Sequence, residues 1–199
     1  MILLITGATH TGKTLLAQRL LERYRCPYLS MDHLKMGLIR SGLTDLTPQD
    51  DEEMTGFLWP VVREIIKTAV ENGQHLIVEG CYVPAGWERD FAPEYLREIR
   101  FYCLVMTESY IRAHFNDIKN HACAIERRID DSDLDIATLI AENERYLTDF
   151  GYRNDGLILH RGVITEAALP SAPNAKKNAR RKRGAQVALP PQDGADTQT

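Results

Sequence analysis

Three observations predict an α/β fold in three layers, with helices on both faces of a mostly parallel five-stranded sheet. Short apolar runs alternate along the chain with longer stretches whose apolar residues recur on a helical period. The runs themselves show no polar alternation, as strands covered on both faces require. A glycine-rich loop joins the first run to the first helical stretch.

Each element has its own justification. Ile2 to Thr6 is a continuous apolar run that stops at Gly7, and reads as a buried strand. Thr14 to Tyr24 is helical in pattern, with Leu15, Leu16, Leu20 and Leu21 to one side. Pro27 to Ser30 is a short second strand, and Leu34, Leu38 and Ile39 mark a short helix. Met54, Phe57, Leu58, Val61, Val62, Ile65, Ile66, Ala69 and Val70 form the clearest stripe on a 3.6-residue period. Thr47 is the expected N-cap of that helix, with Pro48 at its first position. Asp50, Asp51, Glu52 and Glu53 complement the dipole, and Gly73 is the expected stop. Pro60 sits within the stripe and is expected to kink the helix or split it in two. His75 to Glu79 and Arg100 to Met106 are the third and fourth strands, and Leu157 to His160 a short last one. Tyr110 to Lys119 and Ile136 to Phe150 are helical. After Ala168 the composition shifts to Pro, Ala, Asn, Lys, Arg, Gly and Gln without periodicity. The expected organisation is one domain over 1–168 and a disordered basic tail over 169–199.

Composition narrows the function classes. The 199 residues, 44% hydrophobic and 26% charged, suffice for one core and a tail. No run approaches the roughly 18 apolar residues of a membrane span. The start, MILLITG, has neither a basic flank nor a small-residue cleavage site, so no signal peptide is expected. Cys26, Cys81, Cys103 and Cys123 form no CxxC pair, which suits a reducing cytoplasm. The net charge of −4 hides an asymmetry. Lys176, Lys177, Arg180, Arg181, Lys182 and Arg183 face only Asp193 and Asp196 in the tail, so the body is acidic. An acidic body argues against a nucleic-acid groove, and the tail alone could bind RNA, an anionic lipid or an acidic partner. A solubilising tail is its plainer reading.

The sharpest signal is Gly7-Ala8-Thr9-His10-Thr11-Gly12-Lys13-Thr14, a G-x-x-x-x-G-K-T run between a strand and a helix. Gly7 and Gly12 let the backbone fold round an anion with no Cβ in the way. Successive N–H groups and the positive end of the helix cradle a phosphate. Lys13 can reach the β- and γ-phosphates, and the Thr14 hydroxyl can ligate Mg²⁺.

This run, in this setting, resembles the P-loop nucleoside triphosphatases. A short chain whose motif opens at Gly7 looks most like their small-molecule kinase branch: adenylate, shikimate and gluconate kinases, chloramphenicol phosphotransferase and the zeta toxins. The resemblance implies a P-loop kinase fold with a helical lid, ATP and Mg²⁺ as cofactors, and a small-molecule acceptor. No N-K-x-D guanine-reading motif is present, which favours ATP.

Phosphoryl transfer also needs a group to orient the acceptor, an acid near Mg²⁺, and cations over the moving phosphoryl. Asp32 follows the second strand, where several such kinases carry an acceptor-binding Asp or base; a helix N-cap is its bland alternative. Glu79 ends the third strand in Leu76-Ile77-Val78-Glu79-Gly80, and resembles the Walker B position and the E-G of zeta toxins and uridine kinases. A carboxylate ending an apolar strand is costly to bury unless it serves a cation or a network. Arg40 stands where adenylate-kinase-like enzymes bind the acceptor, and Arg63 lies just past Pro60. Arg112, Arg127 and Arg128 fall where the family carries its lid, and a lid arginine would neutralise the moving phosphoryl. Taken singly, each arginine reads first as solvated surface; at least one of these last three is expected to serve. Lys35, three residues after Asp32, could reach an anionic acceptor, although a helix-surface lysine is its plainer reading.

His10 is expected to point away from the loop. His114, His121 and Cys123 have a loose metal-ligand spacing, but with no CxxC or HxxxH partner no zinc site is expected. Tyr82, Trp87 and Phe91 could wall the acceptor pocket or simply pack. The leading expectation is an ATP-dependent kinase, with the acceptor between Asp32 and Glu79 and a segment around Ile111 to Asp131 closing over it. The acceptor stays open among nucleotides, sugar acids and nucleotide-sugars. The rival is a nucleotide-dependent switch or regulatory ATPase that uses the basic tail as a partner-binding arm; tail truncation would separate the two.

Overall fold

The computed structural model describes residues 1–121, 134–150 and 157–160. Arg127, Arg128, Cys123, the distal part of the expected closing segment and the tail 169–199 lie outside the described residues.

Five strands form one sheet in the order β2-β3-β1-β4-β5. They are β1 (Ile2–Gly7), β2 (Tyr28–Ser30), β3 (Leu76–Glu79), β4 (Ile99–Met106) and β5 (Leu157–His160). Every pairing among the described residues is parallel. The helices are α1 (Lys13–Tyr24), α2 (Met31–Arg40), α3 (Asp51–Glu71), α4 (Pro93–Leu96), α5 (Glu108–His121) and α6 (Ile136–Phe150). α5 has a non-helical residue at His114, and a 3-10 turn spans Trp87–Asp90; neither that turn nor α4 stands out in the sequence pattern.

Because successive side chains on a strand point to opposite faces, β1 feeds two cores. Leu3 and Ile5 join Ile77 and Leu104 beneath Leu16, Ala17 and Leu20 of α1. Ile2 and Leu4 join Val78, Phe101 and the buried stripe of α3, Met54, Leu58, Val62, Ile66 and Ala69. Leu16 and Leu20 are at most 1% exposed, and burying each contributes roughly 1.5–3 kcal/mol. Among the described residues no helix is long and apolar enough to cross a membrane.

α3 corrects two expectations. It begins at Asp51, three residues after Pro48, and Thr47 is not its N-cap. Instead the Thr47 N–H and hydroxyl both donate to the Asp50 carboxylate, at 2.7 and 2.8 Å, closing a turn before the helix. Those bonds hold the Asp50 carboxyl below the usual carboxylate range. Pro60 does not split the helix, which runs through it to Glu71. Proline conflicts with the carbonyl four residues back. That residue is Gly56, and both lie on the exposed side, where water can take the carbonyl. The expected stop holds: Gly73, at φ 64°, donates to the Val70 carbonyl, and Gln74 donates to that of Ala69.

Candidate active site at the phosphate loop

One row of the sheet sets the site. Ser30 on β2, Glu79 on β3 and Ile5 on β1 are register partners. Just beyond that row the three strands release Asp32, Gly80 and Gly7 at the same edge, the carboxyl end where ligands bind in such sheets.

The loop after β1 is packed hard against β4. The Ala8 N–H donates to the Leu104 carbonyl at 3.2 Å. Gly7, at φ 140°, leaves no room for a side chain, since a Cβ there would lie 2.1 Å from the Leu104 oxygen. Gly7→Ala is therefore expected to cost about 3 kcal/mol or more. A urea midpoint equal to wild type would disprove that tight fit. His10 adopts the left-handed conformation, φ 63°, which non-glycine residues visit rarely and mostly where function fixes them. Gly12, at φ 81°, then admits the chain to α1.

Lys13 is buried, and its Nζ donates to the Ala8 carbonyl at 2.8 Å. The Thr11 hydroxyl donates to the same oxygen at 2.7 Å. Thr14, next on α1, sends its hydroxyl toward Glu79 Oε1 at 3.5 Å. Glu79 is 1% exposed and its Oε2 accepts from the Tyr28 hydroxyl at 2.8 Å. The loop threonine and the strand-end acid thus lie side by side.

Asp32 lies in the first turn of α2, but the capping oxygen is that of Ser30, which accepts from the His33 N–H at 3.4 Å. The Asp32 carboxylate makes no hydrogen bond or ion pair among the described residues. Gly80 lets α2 approach: a Cβ there would fall 2.5 Å from Met31 Cβ. Burial pushes the adjacent Cys81 thiol up to about 11; the Lys13 ammonium pulls it down and the Asp32 carboxylate pushes it up. Cys81 therefore lies within electrostatic reach of both.

Other expected residues lie elsewhere. Lys35 is buried and held by the chain itself. Its Nζ donates to the Pro48 carbonyl at 2.8 Å, the Tyr82 hydroxyl at 2.5 Å and Asp51 Oδ1 at 3.1 Å. Tyr82 in turn donates to Asp51 at 3.0 Å. Burial, then neighbouring Cys81, Asp32 and Asp51, drive the Tyr82 phenol far up. Lys35 is thus not a surface lysine; it fastens α2 to the start of α3 and to the chain after β3. Lys35→Met is expected to lower stability by about 1–3 kcal/mol, the cost of a buried acceptor left unpaired. An unchanged melting temperature with altered acceptor dependence would return Lys35 to the acceptor site.

Arg63 pairs with Glu64 at 2.9 Å and Asp90 at 3.8 Å, beside Trp59, whose indole N–H donates to Asp90. Arg112 pairs with Glu108 one turn back on α5 and is exposed. Arg40 is exposed in the last turn of α2. Trp87 and Phe91 belong to the core and meet edge to face.

α6 supplies what the sequence did not signal. Glu142 Oε1 accepts from both the N–H and the hydroxyl of Thr9, at 3.0 and 2.9 Å. Asn143 is 2% exposed; its Oδ1 accepts from the Met106 N–H at 2.7 Å and its Nδ2 donates to the Leu139 carbonyl. The Tyr146 hydroxyl donates to the Cys81 carbonyl at 3.0 Å. One helix face thereby ties the ends of β1, β4 and β3 together. Asn143 sits in the buried stripe Leu139, Ile140, Tyr146 and Phe150, and an amide at a core position was the one legible sign. A cleft of about 1500 Å³ opens elsewhere, between Arg25, Pro27, Thr68, His75 and Arg97, and no loop residue lines it.

No protein-family model matches the chain, and no curated protein matches it in sequence. Solved structures do. The tunicamycin resistance protein of Deinococcus radiodurans is similar at a TM-score of 0.51 and 17% identity, over 95% of this chain and 98% of that one. Shikimate kinase of Bacteroides thetaiotaomicron gives 0.48 and 11%, over 92% and 96%. Shikimate kinase of Aquifex aeolicus gives 0.44 and 15%, over 92% and 97%. The likeness to the tunicamycin resistance protein shows the fold alone, an α/β fold built on a parallel sheet.

Proposed function

We propose that the chain is an ATP-dependent phosphotransferase acting on a small polar acceptor, such as a nucleotide, a sugar acid or a nucleotide-sugar. The observation that carries this reading is the convergence at one sheet edge of Lys13, the Thr14–Glu79 pair and the unpartnered Asp32. The Thr14 hydroxyl and Glu79 carboxylate are hard oxygen donors 3.5 Å apart, which suits Mg²⁺, an ion that takes its remaining ligands from phosphates and water. When bound, Mg²⁺ supplies charge neutralisation on the β- and γ-phosphates.

The chain's own residues do the rest. The N–H groups of the loop from His10 to Thr14 hold phosphate oxygens, and Lys13 draws negative charge toward the β- and γ-positions. Asp32 receives the acceptor's hydroxyl proton or orients that hydroxyl for attack. Arg112, Arg127 and Arg128 are the candidates for closing over the phosphoryl group. Arg40 remains a candidate acceptor ligand; Arg63 is committed to Glu64 and Asp90. The described cysteines are free thiols, as fits a cytoplasmic protein.

The test is ATP consumption with Mg²⁺, alone and with pools of nucleoside monophosphates, sugar acids and nucleotide-sugars, with Lys13→Ala as blank. Stimulation by one pool is expected. Tight ATP binding that no acceptor stimulates would favour a nucleotide-dependent switch instead.

A further inference from the structure

The Ala8–Thr9 peptide is gripped at both ends. Its oxygen accepts from Lys13 Nζ at 2.8 Å and the Thr11 hydroxyl at 2.7 Å. Its N–H donates to Glu142 Oε1 at 3.0 Å, and the Thr9 hydroxyl donates to the same carboxylate oxygen at 2.9 Å. The oxygen and the N–H of a trans peptide point in opposite directions. Fixing the N–H on Glu142 therefore fixes where the carbonyl aims, and the carbonyl is what holds Lys13.

Glu142 can do this because α6 is itself anchored. Asn143 binds the Met106 N–H and Tyr146 binds the Cys81 carbonyl. The carboxylate thus reaches the loop from a fixed helix.

We propose that Glu142 is a positioning residue of the nucleotide site: it orients the Ala8–Thr9 peptide, and through that peptide it aims Lys13 into the phosphate cradle. The Thr9 N–H is then spent on Glu142 and is not a phosphate ligand, leaving the cradle to the N–H groups from His10 onward. This rests on the phosphotransferase reading, but it concerns nucleotide binding alone and needs no knowledge of the acceptor.

The experiment is calorimetric titration of Mg-ATP into wild type, Glu142→Ala and Glu142→Gln, with amide hydrogen exchange at Thr9 followed by NMR. Glu142→Ala is expected to weaken Mg-ATP about tenfold to a hundredfold, the range for one hydrogen bond to a charged group. The Thr9 amide should then exchange faster. Glu142→Gln offers a carbonyl oxygen to the same two donors and is expected to recover most of the affinity and the Thr9 protection. A packing role alone would lower the melting temperature of both variants without moving affinity or Thr9 exchange, and that result overturns the proposal. So does a Gln variant as weak as the Ala variant, because the charge rather than the orientation would then matter. Wild type that fails to bind Mg-ATP overturns the kinase reading and this one with it; wild-type binding that Glu142→Ala leaves unmoved overturns this one only.

Discussion

Lys13→Ala is expected to abolish turnover and to weaken Mg-ATP binding by about a hundredfold or more. Lys13 is a buried cation at the head of α1, and its Nζ is held on the Ala8 carbonyl of the loop it serves. A unit charge about 4 Å from a phosphate oxygen is worth about 4 kcal/mol at an effective dielectric of 20. Part of that is offset by desolvation, which leaves the hundredfold figure. The substitution also removes one of two donors to the Ala8 oxygen, but Thr11 keeps that carbonyl satisfied, so the fold should survive. Calorimetry and a coupled ATP assay on the same sample check both halves. Wild-type affinity in a folded Lys13→Ala chain would remove the loop from nucleotide binding altogether.

Asp32→Asn is expected to act on the chemistry and spare the nucleotide. Turnover should fall about 10²- to 10⁴-fold, the usual size for a general acid–base group, while the Kd for Mg-ATP stays close to wild type. Asp32 has no hydrogen bond or ion pair to lose among the described residues, and Ser30 already caps α2. A large stability loss is therefore not expected, and a fall in turnover would report function. Steady-state rates with a saturating acceptor decide it; undiminished turnover would exclude Asp32 from proton transfer.

What could be read in advance follows from range. The loop, the strands and the stripe of α3 are local patterns, so their periods and glycines were legible. β1, β3 and β4 hold the inner positions of the sheet and are buried almost throughout, as an apolar run without alternation requires. Glu79 and Asp32 were legible because each ends or follows a strand on the ligand side. The Glu142–Thr9 contact joins residues far apart in sequence, and nothing near Glu142 marks it among the other acids of α6. Lys35 was misjudged for the same reason, since its partners Pro48, Asp51 and Tyr82 come from three separate segments. At Pro60 what mattered was exposure, since Pro60 and the Gly56 carbonyl it displaces both lie on the side open to water.

The central place of β1 has a consequence for how the chain comes into being. Ile2 pairs with Leu76 on one side and Ile99 on the other. The strand that carries the glycine-rich loop is made before either partner, and both come only after much more chain has followed. Long-range parallel pairing of this kind is slow, because loop closure must precede any contact that rewards it. Until β3 and β4 arrive, Ile2-Leu3-Leu4-Ile5 is an exposed apolar segment with unpaired backbone on both sides. That segment is where chaperone capture or aggregation during synthesis would begin, and the glycine-rich loop would take its fixed shape late, only once the middle of the sheet has closed.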